Sequence, residues 1–431
     1  MSDLYNGKLT TAEEAIGKIG KSAHIWLHHC AMEPQALVRE LVRQHARFDG
    51  ARVYHMVRLG KPDITEPECR GHLIDTGLFL GGNSRAAYAE GVVDFVPNFF
   101  HESPSLLRRG LVPCEVALIQ VTPPDANGYV SLGVSVDYAL QAARTASLVV
   151  AQVNRRVPRT LGESFLHVSE IDWFVEADED IYLLNPPKIG DEEKAIGSNC
   201  AELIEDGSTL QLGIGGIPDA VMLFLETKKD LGIHSEMISD GTLALFEKGV
   251  INNSKKSENR GRMTITFCMG TERLYAFVND NPAVEVRPVD YVNHPVTVMR
   301  QHKPIGVNSA IEVDLMGQVN AETMGYRQFS GTGGQVDFVR GCSMAEGGKA
   351  IIAMPSSTVK KDGTRLSKIV PILTEGAGVT TLRTDVDYVV TEQGVAQLKG
   401  KTLRQRAQEL IAVAHPDFRA SLAEDFKKRL V

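Results

Sequence analysis

Cysteine pairs at the spacing of zinc or redox motifs are missing from this chain of 431 residues. Its six cysteines form no CxxC pair and match no zinc-ligand spacing; they stand at positions 30, 69, 114, 200, 268 and 342. Cysteines scattered in this way are typical of proteins from a reducing compartment. We therefore predict no metal site and thiols that are mostly buried.

Basic excess is missing too, because 46 Lys and Arg stand against 54 Asp and Glu, a formal net charge of −8. Nucleic-acid binders usually carry a basic excess, so we predict no nucleic-acid partner. The first residues, MSDLYNGKLTTAEEAI, have no signal-peptide pattern, and no apolar run approaches the ~20 residues that span a bilayer. These absences predict a cytoplasmic protein without a membrane partner.

Strand-like runs alternate with helical stretches in a chain that is 43% hydrophobic and 23% charged, a globular composition. Such runs occur at 23–26, 52–57, 116–121, 148–153, 208–212, 263–268, 350–354 and 385–390. Helical patterns follow Pro34, cover 192–205 and follow Pro218. This alternation predicts an α/β protein with mainly parallel sheet.

Two segments of similar pattern indicate an internal duplication. Segments 26–34 and 210–218 each lead from a strand into a helix and end in proline, which is favoured where a helix begins. A second, weaker pair is 114–118 against 311–315. The similar order and spacing predict two copies of one α/β unit.

The border between the two copies is predicted from composition. The stretch 187–195, PPKIGDEEK, is polar and contains proline and glycine, as linkers between domains often do. This places an N-terminal domain at 1–190 and a C-terminal domain at 191–431.

Gly213, Gly215 and Gly216 stand between a predicted strand and a predicted helix, in the segment GIGGIP. Glycines there let the backbone approach a ligand, and the amide groups and dipole of the helix favour an anion such as phosphate. Pro218 replaces the third glycine of the dinucleotide fingerprint GxGxxG, which argues against close Rossmann packing. A tight turn without a ligand explains the same residues equally well.

A carboxylate is predicted near this glycine segment. Glu236, in HSEMISDG, lies one helix and one return strand beyond Pro218. Because the carboxyl ends of parallel strands share one edge of a sheet, Glu236 can face the glycine segment. It would hold a ribose hydroxyl there or act as a nucleophile that forms a covalent intermediate. A solvated glutamate is the simpler alternative.

Two more segments carry residues suited to stabilising negative charge. Gly333 and Gly334, in SGTGGQVDF, would expose backbone amides that can stabilise an oxyanion, or would form a flexible loop tip. Lys360 and Lys361, in SSTVKKDG, form a basic turn that reaches phosphate or is simply solvated.

Two clusters in the first half carry weaker signals. His28, His29 and Cys30 invite a metal interpretation, but further ligands at usable spacing are missing, so no metal is predicted. The three arginines of the segment NRRVPR follow an apolar strand beside a proline turn, where they could bind a carboxylate.

Taken together, the motifs resemble a known family. The resemblance is carried by VTPPDANGYVSLGVSVDY, QVNRRVPRTLGESFLHVSEID, GIGGIPDAV, HSEMISDG, NSAIEVDLMGQVN and SGTGGQVDFVRG, which span nearly the whole chain. In this order they are similar to the acetyl-CoA hydrolase/CoA-transferase family, above all to its 4-hydroxybutyrate and butyryl-CoA:acetate CoA-transferases.

The resemblance implies a fold and a reaction. It implies two similar open, mainly parallel α/β domains with the active site in the cleft between them. It implies ping-pong transfer of CoA between small carboxylic acids of the 4-hydroxybutyrate, butyrate and acetate class, through a glutamyl-CoA thioester on Glu236. Coenzyme A is then a substrate, and no metal is expected.

The resemblance also implies site residues. Gly333 and Gly334 would stabilise oxyanions beside the catalytic glutamate. CoA would be bound by a larger set, namely Gln211, Leu212, Gly213, Ile214, Gly215, Gly216, Ile311, Gly334, Lys360 and Lys361. The lysine turn has an extra residue relative to the family pattern, so which lysine contacts CoA stays open.

The implied partners are acyl-CoA and short-chain carboxylates, with a homodimer or a multiple of it as the assembly. Two alternatives use the same residues differently. An acyl-CoA hydrolase would let water finish the reaction at Glu236. A regulator would bind a nucleotide or sugar phosphate without a covalent step, while Pro218 argues against an NAD-linked oxidoreductase.

Overall fold

The computed structural model describes residues 2–61 and 64–428. None of the helices in these ranges combines the length and the apolar character that crossing a bilayer requires. All six cysteines are free thiols, five of them buried and Cys114 partly exposed. The prediction of mostly buried thiols is therefore confirmed.

The chain divides into two compact units, and the first is built from two separate stretches. One unit runs up to Asn185 and also includes Thr264–Val292. The other comprises Pro186–Met263 and the chain from Asn293 onward. The sequence-based domain border near residue 190 stays a prediction.

The strands before residue 190 are short, and in chain order they are β1 (His24–Leu27), β2 (Ala51–His55), β3 (Leu73–Gly77), β4 (Val93–Phe95), β5 (Val116–Val121), β6 (Tyr129–Ser131), β7 (Leu148–Val153), β8 (Phe165–His167) and β9 (Trp173–Glu176). The later strands are β10 (Thr209–Leu212), β11 (Gly232–Ile233), β12 (Met237–Ile238), β13 (Met263–Ile265), β14 (Phe267–Cys268), β15 (Val284–Val286), β16 (Pro304–Asn308), β17 (Glu312–Asp314), β18 (Val319–Asn320), β19 (Thr323–Met324), β20 (Arg327–Gln328), β21 (Lys349–Ala353), β22 (Ser357–Val359), β23 (Arg365–Ser367), β24 (Ile369–Val370), β25 (Tyr388–Thr391) and β26 (Gly394–Gln397).

The helices, likewise in chain order, are α1 (Ser2–Asn6), α2 (Ala12–Gly17), α3 (Gln35–Arg43), α4 (Gly82–Ala89), α5 (Ser103–Arg108), α6 (Ala139–Thr145), α7 (Asp191–Glu202), α8 (Gly216–Leu223), α9 (Asp240–Glu247), α10 (Glu272–Val278), α11 (Val289–Val292), α12 (Pro295–Met299), α13 (Gln335–Met344), α14 (Leu403–Ala412) and α15 (Pro416–Lys427). Single turns of 3₁₀ helix add Cys30–Met32, His45–Arg47, Pro67–Cys69, Phe100–Glu102 and Val168–Glu170.

A parallel sheet forms the centre of the first unit, in the order β4-β3-β2-β1-β5-β7-β9. Every residue of β5, VALIQV, is buried. A strand buried on both faces needs cover on both sides, and helices supply it in a parallel sheet. Apolar side chains of α3, such as Leu37 and Leu41, pack in one core with Ile25, Val53 and Leu118 of the sheet.

The second unit repeats this plan. Its large sheet has the order β11-β10-β16-β21-β25-β26, and only β26 runs antiparallel to its neighbour. The order β2-β1-β5-β7-β9 in the first unit corresponds to β11-β10-β16-β21-β25 in the second. The prediction of two similar, mainly parallel α/β units is confirmed, and β1 is the counterpart of β10.

The second of the two predicted repeat pairs is wrong. Segment 114–118 leads into β5, which pairs with β1 in the large sheet. Segment 311–315 instead contains β17, which lies in a small separate sheet with β18 and β24. The counterpart of β5 is β16. The short apolar and acidic pattern shared by both segments suits any buried strand, so it could not specify which sheet each would join.

Candidate active site

The glycine segment lies between β10 and α8, as the sequence pattern indicates. Gly215 has φ 121°, a backbone conformation that residues other than glycine rarely adopt. A Cβ placed on Gly213 or Gly215 would meet no atom of the described chain within 4 Å. The helix begins at Gly216, so Pro218 lies in its first turn, where the missing N–H removes no helical hydrogen bond. Open space before a helix N-terminus suits an anionic ligand.

Glu236 lies at the same edge of the sheet as this segment. Strands β10 and β11 are parallel neighbours, so their carboxyl ends meet there. The Ser235 hydroxyl donates a hydrogen bond of 3.3 Å to the carbonyl of Leu212, the last residue of β10. Glu236 directly follows Ser235, and Gly213 directly follows Leu212, so this hydrogen bond holds the two segments side by side. Glu236 is partly exposed.

The second glycine segment is packed against Glu236. Gly334 caps α13, and a Cβ placed on it would lie 1.9 Å from Oε2 of Glu236. Any side chain at this position would displace the carboxylate. Gly333, with φ 54°, makes the turn that delivers Gly334 to this place. The structure thus brings the HSEM and SGTGG segments together at one carboxylate.

Asn293 is a site residue that the sequence analysis missed. Its Nδ2 donates a hydrogen bond of 2.7 Å to Oε2 of Glu236 and lies 3.5 Å from Oδ2 of Asp337. Asn293 is completely buried. It follows α11 and lies far from Glu236 along the chain, in no glycine-rich or charged motif, so the sequence held no signal that joined the two.

The remaining predicted CoA contacts fall into two groups. Gln211 and Leu212 are buried in β10, and Oε1 of Gln211 accepts a hydrogen bond of 3.1 Å from Asn308 at the end of β16. Ile214 is exposed in the loop that follows. Ile311 is partly buried, and its N–H donates to the carbonyl of Asn320 at 2.8 Å. These residues lie at, or a few residues beyond, the carboxyl ends of the neighbouring strands β10 and β16.

Lys360 and Lys361 stand on a separate element, the tip of the β22–β23 hairpin, where both are exposed. A basic residue just beyond the hairpin is more buried. Nζ of Lys368 donates to the carbonyl of Ala310 at 3.1 Å. Burial lowers the pKa of Lys368, and the charges of Glu192 and Glu392 oppose that effect. The sequence analysis did not single out this lysine.

The arginines of the NRRVPR segment already have partners of their own. Arg155 pairs with Asp178 and Arg156 with Asp180, while Arg159 reaches Asp280 at 2.8 Å. These aspartates neutralise the positive charge of the arginines, which a substrate carboxylate would need for binding. The neighbouring polar side chains Gln152 and Asn154 are fully buried in a hydrogen-bonded amide cluster.

Comparison with known proteins decides the family. A model of the acetyl-CoA hydrolase/transferase N-terminal domain matches residues 2–184, and the model of the C-terminal domain of the same family matches residues 270–426. The chain belongs to this family. The resemblance that the sequence motifs carry is therefore confirmed, and Glu236 lies between the two matched ranges.

Members of the family are similar along the entire chain. A 4-hydroxybutyrate coenzyme A transferase of Clostridium kluyveri is 54% identical, over 99% of each chain. A butyryl-CoA:acetate CoA-transferase of Anaerostipes caccae is 36% identical, over 98% of this chain and 97% of the relative. The crystal structure of a 4-hydroxybutyrate CoA-transferase from Porphyromonas gingivalis superposes with a TM-score of 0.86 at 41% identity, covering 99% of each chain.

Proposed function

We propose that this protein is a CoA-transferase that moves CoA between small carboxylic acids, of the 4-hydroxybutyrate or butyrate and acetate class. The named relatives, which match the whole chain, support the reaction type. The observation that carries the mechanism is the placement of Glu236, held by Asn293 against Gly334 at the edge that bears the glycine loop.

The proposed chemistry begins with attack by the Glu236 carboxylate on the thioester carbonyl of the acyl-CoA. The C–S bond breaks, which gives a mixed anhydride and CoA thiolate. The thiolate then attacks the glutamyl carbonyl, releases the first acid and leaves a glutamyl-CoA thioester. A second carboxylic acid reverses both steps, so the kinetics are ping-pong. Carboxylate and thiolate are already ionised, so no general base takes part.

Oxyanion stabilisation is assigned to the backbone around Gly333 and Gly334. Each addition step places a negative charge on a carbonyl oxygen, and removing one donor for such a charge typically costs about 3 kcal/mol in other enzymes. Gly334 packs directly on the reacting carboxylate. This closeness is why we assign the role to this segment rather than to a more distant loop.

CoA binding is assigned to Gln211–Gly216, to Ile311 and to the Lys360–Lys361 turn. The open space at Gly213 and Gly215 and the helix that starts at Gly216 suit a diphosphate. Measuring KM for acyl-CoA in Lys360→Ala and Lys361→Ala separately identifies the contacting lysine. We further propose a cytoplasmic enzyme that assembles as a homodimer or a multiple of it.

Two experiments test this function. In the first, one acyl-CoA donor is offered with a panel of acceptor acids, and CoA transfer should depend on acetate or a similar acid. Release of free CoA at the same rate without an acceptor would favour a hydrolase.

In the second experiment, the protein is incubated with acyl-CoA and treated with borohydride, and the peptide that carries Glu236 is analysed by mass spectrometry. An unmodified peptide under turnover conditions would contradict the covalent mechanism and favour a binding protein.

A further inference from the structure

A thiol, an imidazole and a carboxylate form a chain of consecutive contacts in the first unit. Sγ of Cys30 is 2.9 Å from Nε2 of His29, and Nδ1 of His29 is 3.0 Å from Oδ2 of Asp137. The carboxylate accepts the proton on Nδ1, so Nε2 presents its lone pair to the thiol. This is the hydrogen-bond order in which an imidazole withdraws a proton from a nucleophile.

Asp137 is held as a carboxylate by its neighbours. Oδ1 accepts hydrogen bonds from the backbone amides of Tyr138 at 2.6 Å and Ala139 at 3.2 Å, and Oδ2 accepts one from the Ser135 hydroxyl. Burial opposes its ionisation, but the interactions of the carboxylate with His29, His28 and the Ser135 hydroxyl together hold the pKa of Asp137 below its usual value. A charged carboxylate in a buried place stabilises an imidazolium beside it.

The imidazole of His29 is fixed in orientation. Phe267 packs on it edge-on, with 4.8 Å between the ring centroids, and Phe100 does so at 5.8 Å. Both the histidine and the cysteine are almost completely buried, at 2% and 4% exposure. The pair is therefore preorganised.

The cluster occupies a position in the first unit that corresponds to the glycine loop of the second unit. Cys30 follows β1, the counterpart of β10, so the His29–Cys30 turn stands where the second unit carries its glycine loop. Two of the other cysteines serve as a comparison. Burial raises the pKa of Cys114 to about 12 and that of Cys200 to about 12, so both stay protonated at neutral pH.

We propose that Cys30 is a nucleophilic thiol, activated by His29 and Asp137, that small hydroperoxides oxidise to a sulfenic acid. In this step the proton of the thiol passes to Nε2 of His29, and the thiolate attacks one peroxide oxygen. The O–O bond breaks, an S–O bond forms, and the leaving hydroxide or alkoxide takes the proton back from His29. Sulfur loses two electrons to the peroxide, and the products are Cys30 sulfenic acid and water or an alcohol.

The test uses the full-length protein, and the thiol of Cys114 in the same protein is the control. Native protein is treated with hydrogen peroxide for timed intervals, catalase stops the reaction, and the protein is unfolded in dimedone, which traps sulfenic acid. Mass spectrometry then compares the peptides of Cys30 and Cys114. We expect Cys30 to react at least about tenfold faster at pH 7, although Cys114 is more exposed, because Nε2 of His29 lies close enough to take up the proton of the Cys30 thiol.

Variants and pH separate activation from simple access. The rate at Cys30 should stay high down to about pH 7 in the native protein and should fall at that pH in His29→Gln, with His24→Gln as the matched surface control. Equal rates at Cys30 and Cys114, or an unchanged pH profile in His29→Gln, would overturn the proposal. If His29→Gln does not fold, the comparison of the two thiols in the native protein decides. Glu236→Ala should keep the oxidation, so this site is tested independently of transferase activity.

Discussion

Asn293 donates a hydrogen bond of 2.7 Å to Oε2 of Glu236. The amide is fully buried, and the same carboxylate oxygen faces the backbone of Gly334. A carboxylate held in this way has one orientation before a substrate arrives, which lowers the entropic cost of reaching the attack geometry. This relationship makes Asn293 a positioning residue for the proposed nucleophile.

Replacing Asn293 with alanine should slow transfer more than it weakens binding. A hydrogen bond to a charged group contributes about 1.5–3 kcal/mol, which corresponds to a fall in kcat of roughly tenfold to a hundredfold. Steady-state kinetics should show this fall with little change in KM. The matched control is Asn252→Ala, which removes an exposed amide that donates to Asp230 at 2.8 Å. A similar loss of kcat in both variants would contradict the positioning role.

Replacing Glu236 with alanine should abolish transfer without unfolding the protein. The side chain is partly exposed, so its loss costs little packing. Glu236→Asp should also be severely impaired, because one methylene withdraws the nucleophile by more than about an ångström. Turnover and the midpoint of thermal unfolding are the measurements, with the exposed Glu226→Ala as control. Wild-type turnover in Glu236→Ala would remove the site assignment.

A methyl group at Gly334 should inactivate the enzyme. The new Cβ would lie 1.9 Å from Oε2 of Glu236, so the carboxylate must move. We expect the rate of formation of the Glu236 adduct to fall at least about a hundredfold, as for a misplaced reacting group. The control is Gly82→Ala, because nothing among the described residues lies within 4 Å of a Cβ at Gly82. Normal adduct formation in Gly334→Ala would show that the segment relaxes easily.

A valine at Gly213 should mainly weaken CoA binding. The position is open and its φ is not in the left-handed region, so the protein should keep its thermal midpoint. The new side chain would occupy the space that a diphosphate needs to approach the amides of α8. Calorimetric titration with CoA should show weaker binding, whereas normal affinity would place the cofactor elsewhere.

Acid should destabilise the first unit through His28. Burial lowers the pKa of His28, although the nearby charge of Asp137 opposes this. The unfolded chain, with a histidine pKa near 6.5, therefore binds more protons than the native state below that pH. The stabilising contribution is complete above about pH 6.5 and falls on acidification by up to about 1.4 kcal/mol per pH unit.

Urea unfolding at pH 5.5 and 7.5 measures this effect. His28→Gln keeps a donor for the carbonyl of Ser135, to which Nε2 of His28 lies at 2.6 Å, but it does not titrate. The variant should therefore lose less stability between the two pH values than the wild-type protein. His24→Gln, which changes a more exposed histidine, is the control for loss of a histidine elsewhere in the same unit. Identical pH dependence in wild type and His28→Gln would contradict the prediction.

The sequence by itself determined the α/β class, the repeat of a strand-to-helix turn and the family. These features are local: buried strands are continuous apolar runs, and glycine is needed where the backbone has φ 121°, as at Gly215. It also indicated that Glu236 would share an edge with the glycine segment, because parallel strands end on one side of a sheet.

Only the tertiary structure decided which distant residues meet at these edges. Asn293 reaches Glu236, and Asp137 reaches His29, from elements far away in the chain. It also separated β5 from β17, which look alike in sequence but pair in different sheets. The reason is physical: a short pattern specifies burial and strand propensity, whereas the partner of a buried amide or thiol depends on how whole elements pack.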